Sequence, residues 1–231
     1  MPATEDILTP IHKAIRSMLF DLSERLQTLD FADPEASMTT LADLQVDVAT
    51  APAACILCLV HHHGGDEETG VFPDMKSIDP VLIEELLKEH HDVTRRLATI
   101  SRLTSELRTR ATREERIALG AEINREADRL FAFYLTHMSK EEVTLLPAMM
   151  NHFTDDQLRA LRSKIQGAMP RDRFAGYMRW MLPSLNVSEL TKMLAGMKRA
   201  APPEVLASVT RIAERHVDPV RWAAVRSSVG L

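Results

Sequence analysis

Apolar residues along most of this chain recur every three or four positions and nowhere alternate convincingly at period two, which is the pattern of amphipathic helices rather than half-buried strands. Ile15, Leu19 and Leu22 form one stripe; Leu82, Leu86, Val93, Leu97, Ile100 and Leu107 form a longer one. The first helix is expected from Thr9, an N-cap followed by Pro10 in the first turn, to about Leu29. Phe31 to Ser37, with Asp33-Pro34, reads as a connection. A second helix should run from Ser37 or Met38 to about Glu68, kinked or interrupted at Pro52. Gly64 and Gly65 weaken it, by roughly 1 kcal/mol each relative to alanine. Asp79-Pro80 opens a third helix reaching about Arg110, and Thr112 with Glu115 caps a fourth that should reach about Met150.

Four long helices joined by short links predict an all-α fold, an up-down antiparallel four-helix bundle over residues 1–150. Beyond Asn151 the texture changes. Thr154 with Gln157 starts a shorter helix, and Pro170, Pro183, Pro202, Pro203 and Pro219 divide the remainder into helices of about three turns. Residues 151–231 are therefore expected to be a helical C-terminal extension with no ligand pattern of its own.

The polar positions carry a repeat. His63-Gly-Gly-Asp-Glu67 is followed by Pro73, and His137-Met-Ser-Lys-Glu141 by Pro147 at the same spacing. A histidine and a glutamate four apart share one helix face, so both can point at one cation. Each copy also has an upstream histidine, His12 and His90, at the head of an apolar stripe with offsets of three, seven and ten. Together His12, His63, Glu67, His90, His137 and Glu141 offer four imidazoles and two carboxylates from four helices. Mixed nitrogen and oxygen donors of this kind suit iron, and manganese or zinc less specifically. Six donors exceed what one tetrahedral zinc needs and fit two metals bridged by the glutamates. Two alternatives stay open: His62 with Asp66 in place of His63 with Glu67, and His91 in place of His90. Glu68 and Glu142, next to the proposed ligands, are expected to be solvated.

Composition narrows the setting. The chain has 231 residues, 45% hydrophobic and 26% charged, with a formal charge of −5, which argues against a nucleic-acid partner. No stretch is long and apolar enough for a membrane span, and the acidic first residues do not resemble a signal peptide, so a cytoplasmic location is expected. Cys55 and Cys58 are the only cysteines. Flanked by Ile56, Leu57, Leu59 and Val60, they are expected inside the second helix as small packed hydrophobes, away from the liganding face. The Met-rich stretch with Met178, Met181, Met193 and Met197 reads as core or a docking surface.

On the repeated single-His and His-x-x-x-Glu helices, the chain from about residue 8 to 150 resembles the hemerythrin-like HHE cation-binding family. The resemblance implies a non-haem di-iron site, two irons with an oxo or hydroxo bridge, and small ligands such as dioxygen or nitric oxide. It departs from the oxygen-carrying hemerythrins, whose third helix bears a second histidine one turn from the first and whose fourth-helix carboxylate comes five residues after its histidine. Here Leu86 and Thr94 flank His90 and Glu141 follows His137 by four, which counts against reversible oxygen carriage. Three functional classes fit such a site. One is a protein that binds or senses dioxygen, nitric oxide or the iron and redox state. Another is an enzyme or repair factor handling nitric oxide or donating iron for iron-sulfur cluster repair, and the third is simple metal storage. The extension is a candidate for homodimer formation.

Overall fold

The computed structural model describes residues 3–45, 55–109 and 112–231. Helix α1 (Thr9–Thr28) begins one residue after the N-cap Leu8. No side chain caps it at that position; Asp6, two residues upstream of Leu8, accepts the N–H groups of Leu8 and Thr9 at 3.1 and 2.9 Å, and Thr9 is not the capping residue. Asp33-Pro34, read from the sequence as a connection, instead opens α2 (Pro34–Asp43), with Asp33 accepting the Glu35 N–H at 2.8 Å. The single long second helix is not formed. Its second part is a separate helix, α3 (Ile56–Gly70), that starts from an extended Cys55. Pro52 lies outside the described residues.

Gly64 and Gly65 sit within α3 without interrupting it. The helix ends before Pro73, which falls in the first turn of the short α4 (Phe72–Met75). α5 (Pro80–Thr109) is capped by Asp79, which accepts the Leu82 N–H at 3.0 Å. α6 (Arg113–Lys140) is capped by Thr112. Its continuation is not plain α-helix: Glu141–Leu145 form a π-turn before α7 (Leu146–His152). Pro147 explains it, because a proline cannot donate to the carbonyl four residues back and the chain widens to pass it.

Helices α1, α3, α5 and α6 form the ring of the bundle, each packed on its two neighbours. Their apolar stripes build two clusters. The larger includes Ile15, Leu19, Leu22, Val60, Val93, Leu97, Ile100, Leu130 and Tyr134. The smaller closes one end with Leu8, Val71, Phe72, Met75, Ile83, Leu86, Leu145 and Met149.

The rest of the chain is helical as expected: α8 (Asp155–Ala168), α9 (Arg171–Ser184), α10 (Val187–Ala200), α11 (Pro203–His216) and α12 (Pro219–Val229). Thr154 and Gln157 form the capping box anticipated from their spacing. Pro183 does not stop α9 but lies inside its last turn. α9 lies along α1 and touches α3. The Tyr177 hydroxyl donates to the Leu59 carbonyl at 2.6 Å, and Arg173 pairs with Asp66 at 3.1 Å. Tyr177, Met178, Met181, Leu182 and Leu185 belong to the same apolar cluster as Ile15 and Met18. The extension therefore shares the interior of the bundle.

Candidate metal centre

On every long helix the polar donors lie at one level, between the two apolar clusters. His12 falls between Leu8 and Ile15, His63 between Val60 and Val71, His90 between Leu86 and Val93, and His137 with Glu141 between Tyr134 and Leu145. All six are buried, none more than 5% exposed. The structure brings all six residues singled out from the spacing into one layer.

Within it they divide into two groups of donors, His12, His63, Glu67 and Glu141 on one side and Glu67, His90, His137 and Glu141 on the other. Each copy of the repeat contributes the two imidazoles of one group, and both carboxylates serve both. Glu67 Oε1 faces His12 Nε2 at 3.8 Å and His63 Nε2 at 3.4 Å, while its Oε2 faces His90 Nε2 at 3.5 Å. Glu141 is the mirror of this: Oε2 lies 3.4 Å from His12 Nε2, and Oε1 lies 3.2 Å from His137 Nε2 and 3.7 Å from His90 Nε2.

These atoms fit a cation better than they fit one another. His12 Nε2, His63 Nε2 and all four oxygens of Glu67 and Glu141 are buried without a hydrogen-bond partner among the described residues, an arrangement that costs about 1–3 kcal/mol per atom or more for a charged group. Donors about 2.1 Å from a shared cation stand roughly 3.0–3.4 Å apart, close to the separations observed. His90 Nε2 and His137 Nε2 also meet head to head at 3.0 Å.

Behind the donors stands a set of carboxylates. The outer nitrogen Nδ1 of His12 meets Glu142 at 3.0 Å, that of His90 meets Glu68 at 2.9 Å, and that of His137 meets Glu89 at 2.7 Å. Glu142 is itself held by both terminal nitrogens of Arg16, at 2.8 Å each, and Glu89 by Lys140 at 2.9 Å. Glu68 is exposed, as expected, and Glu142 is half-buried, yet both are partners of the candidate ligand histidines. The pairing crosses the repeat: Glu68 of the first copy holds His90 of the second, and Glu142 of the second holds His12 of the first. The signal was present as Glu67-Glu68 and Glu141-Glu142, a doubled glutamate in both copies. Glu89 immediately precedes His90, and its counterpart before His12 is Ile11. His63 accordingly has no carboxylate behind it among the described residues.

The alternatives resolve against the outer histidines. His91 is exposed on α5, His62 is only half-buried, and Asp66 is committed to Arg173. Leu86, one turn before His90, is buried in the smaller cluster. Phe72 stacks on the His90 ring at 5.1 Å, and Tyr134 tilts against His137 at 5.6 Å. Gly64 lies beside His90, where an added Cβ would stand 3.4 Å from the ring, in ordinary contact. The irregular half of the layer is the one at Glu141, where the π-turn begins, and not the glycine-bearing half at His63 and Glu67.

Charge follows the same asymmetry. Burial works against a proton on His12 and His90, but the carboxylates around each overcome it, raising them to about 9 and about 10. His137 is also raised against its burial, chiefly by Glu141. His63 goes the other way, pushed down to about 4 by burial. Burial would raise Glu67, yet the histidines around it hold it well below the usual carboxylate range. Glu141 is also lowered: burial and Glu67 push it up, and His137 and His90 outweigh them.

The cysteines depart from the sequence reading. Because α3 starts at Ile56, Cys55 is its N-cap rather than an interior residue, and it is joined to Cys58 by a disulfide across the first turn.

A family model described as Hemerythrin HHE cation binding domain matches residues 4–149. No curated protein and no solved structure matches the chain.

Proposed function

The chain belongs to the hemerythrin HHE cation-binding family, and from that premise we propose that it holds two iron ions, one in each donor group, and binds or senses dioxygen, nitric oxide or the iron and redox state through them. The observation that carries this reading is the division of each carboxylate, with one oxygen of Glu67 and one of Glu141 directed to each group. A single tetrahedral cation has no use for that arrangement, and a bridged pair does.

His12 and His63 would hold one ion and His90 and His137 the other, with Glu67 and Glu141 bridging. When bound, a pair of irons supplies electrons that a mononuclear zinc site lacks, which is what binding or reducing a diatomic gas requires. The chain's own part is to fix the tautomer of imidazoles that a seated cation would leave neutral by displacing the Nε2 proton. Glu142, Glu68 and Glu89 each accept the Nδ1–H of their histidine, leaving Nε2 as the free donor. The rings of Phe72 and Tyr134 and the apolar clusters above and below keep water away from the layer.

The test is metal analysis of protein purified without a metal-binding tag, with absorption spectra before and after reduction and exposure to each gas. Two irons per chain and a visible charge-transfer band that responds to the gas are expected. Glu141→Ala should weaken both irons, His63→Ala mainly one. One zinc per chain, no visible band and no loss of metal in Glu141→Gln would overturn the reading.

A further inference from the structure

Cys55 and Cys58 are not used by the metal layer, yet their surroundings are those of a redox pair. The two residues span the first turn of α3, and the Cys55 sulfur accepts the Cys58 N–H at 3.2 Å, the place a serine or aspartate takes in an ordinary N-cap. The carbonyl oxygen of Gln45 lies 3.0 Å from the Cys55 sulfur and 3.1 Å from that of Cys58. Asp43 accepts the next free N–H of the helix, that of Ile56, at 3.3 Å. As a staple the bond has little purpose: it closes a loop of four residues that the helix already constrains, and cross-links gain most when the loop is long.

The same neighbours satisfy the reduced pair. A Cys55 thiolate keeps the Cys58 N–H and the positive end of the helix, both of which lower a thiol's pKa. A Cys58 thiol can donate to the Gln45 carbonyl. In the disulfide neither sulfur bears a proton, so the Gln45 carbonyl gains a sulfur donor only on reduction.

We propose that Cys55 and Cys58 form a reversible dithiol–disulfide site whose reductant is a low-molecular-weight dithiol and whose oxidant is a low-molecular-weight disulfide. One thiolate of the reductant bonds to the Cys58 sulfur as the S–S bond breaks and Cys55 leaves as the thiolate. The reductant's second thiolate then bonds to its own first sulfur and releases Cys58. Two electrons pass to the pair and the reductant becomes a disulfide; of its two thiol protons one ends on Cys58 and the other goes to solvent, Cys55 staying a thiolate, and oxidation is the reverse. Cys55 is the leaving sulfur because it is the one stabilised as an anion, and a lower-pKa thiol leaves faster. Both residues are only 2% exposed, which selects a small reductant over a docking protein.

The full-length chain is equilibrated with reduced and oxidised dithiothreitol in varying ratio, quenched in acid, alkylated and weighed. The expected result is one reversible two-electron transition, with doubly alkylated protein replacing unmodified protein and no singly alkylated form accumulating. In single variants, the thiol of Cys55 in Cys58→Ser should be alkylated at neutral pH about tenfold faster than that of Cys58 in Cys55→Ser. A pair that stays bonded at every ratio until the chain is unfolded in urea would be a structural bond and would overturn the proposal. So would a pair that remains reduced in excess oxidised dithiothreitol, or equal reactivity of the two single thiols. Iron content has no bearing on any of these outcomes.

Discussion

Replacing Glu142 with alanine removes the acceptor 3.0 Å from His12 Nδ1 and the two 2.8 Å hydrogen bonds from Arg16. Outer partners of metal-bound histidines are worth about 10–100-fold in affinity, or about 1.4–2.7 kcal/mol. The same carboxylate has an opposing effect. It helps hold His12 at about 9, so at pH 7 a cation must displace a proton at a cost of about 2.7 kcal/mol. Without Glu142 the His12 pKa falls and that cost shrinks. The two effects offset each other near neutral pH and separate as pH rises, because proton competition fades in the natural chain while the loss of orientation remains. The assay is zinc binding in chelator-buffered solution at about pH 6.5 and about pH 8.5. A deficit within about threefold is expected at the lower pH and one approaching 10–100-fold at the higher, confined to one of two cations. A deficit that is equal at both pH values or shrinks on going to alkaline pH, or an equal loss for both cations, would rule out this balance of orientation against proton competition at His12.

Three further outcomes are expected. In chelator-treated protein, His12 and His90, raised to about 9 and about 10, contribute stability that is fully present below their unfolded value of 6.5 and lost as pH climbs through 9 and 10. His63, lowered to about 4, acts oppositely and costs stability as pH falls from 6.5 towards 4, so melting temperature against pH should peak between these limits. Gly65→Ala meets nothing within 4 Å and should raise helix stability by up to about 1 kcal/mol, whereas at Gly120 an added Cβ would stand 2.2–2.6 Å from Phe31 and should cost about 1–3 kcal/mol, both read from denaturant midpoints. Truncation after residue 150 removes Tyr177, Met178, Met181, Leu182 and Leu185 from the larger cluster. At about 1.5–3 kcal/mol per buried large side chain, that loss matches the whole stability of an ordinary domain, so the fragment should lose its cooperative thermal transition by circular dichroism.

The first, third and fourth bundle helices and all four liganding faces are legible because each signal is local: a three-to-four period, an Asp-Pro or Thr-x-x-Glu start, a histidine four before a glutamate. The start of α3 at Ile56 carries no such signal. Asp33-Pro34 is the same device as Asp79-Pro80 and reads as a connection only because the helix it opens is short and carries no stripe. The π-turn at Glu141 left no periodic trace, only Pro147 beyond it. The roles of Glu68, Glu89 and Glu142 are harder to read for a different reason, although the doubled glutamates Glu67-Glu68 and Glu141-Glu142 mark two of them. A carboxylate one position from a ligand points about 100° away on its own helix, and only the arrival of a neighbouring helix gives it a histidine to accept from. The sharing of one interior between bundle and extension likewise rests on contacts more than a hundred residues apart, as between Tyr177 and Leu59.

The level at which the six donors lie has a consequence for how the molecule comes apart. It divides the apolar interior into two bodies, the larger running from Ile15 into the extension and the smaller built on Phe72, Met75, Ile83 and Met149. Hydrophobic burial couples residues within each body but not across a stratum of charged and polar groups. Cations seated there would rivet all four helices at the seam and make one cooperative unit of two. Their loss should then be felt first as independent opening of the smaller end, in the manner of a separate foldon, while the larger body stays closed and ready to be reloaded.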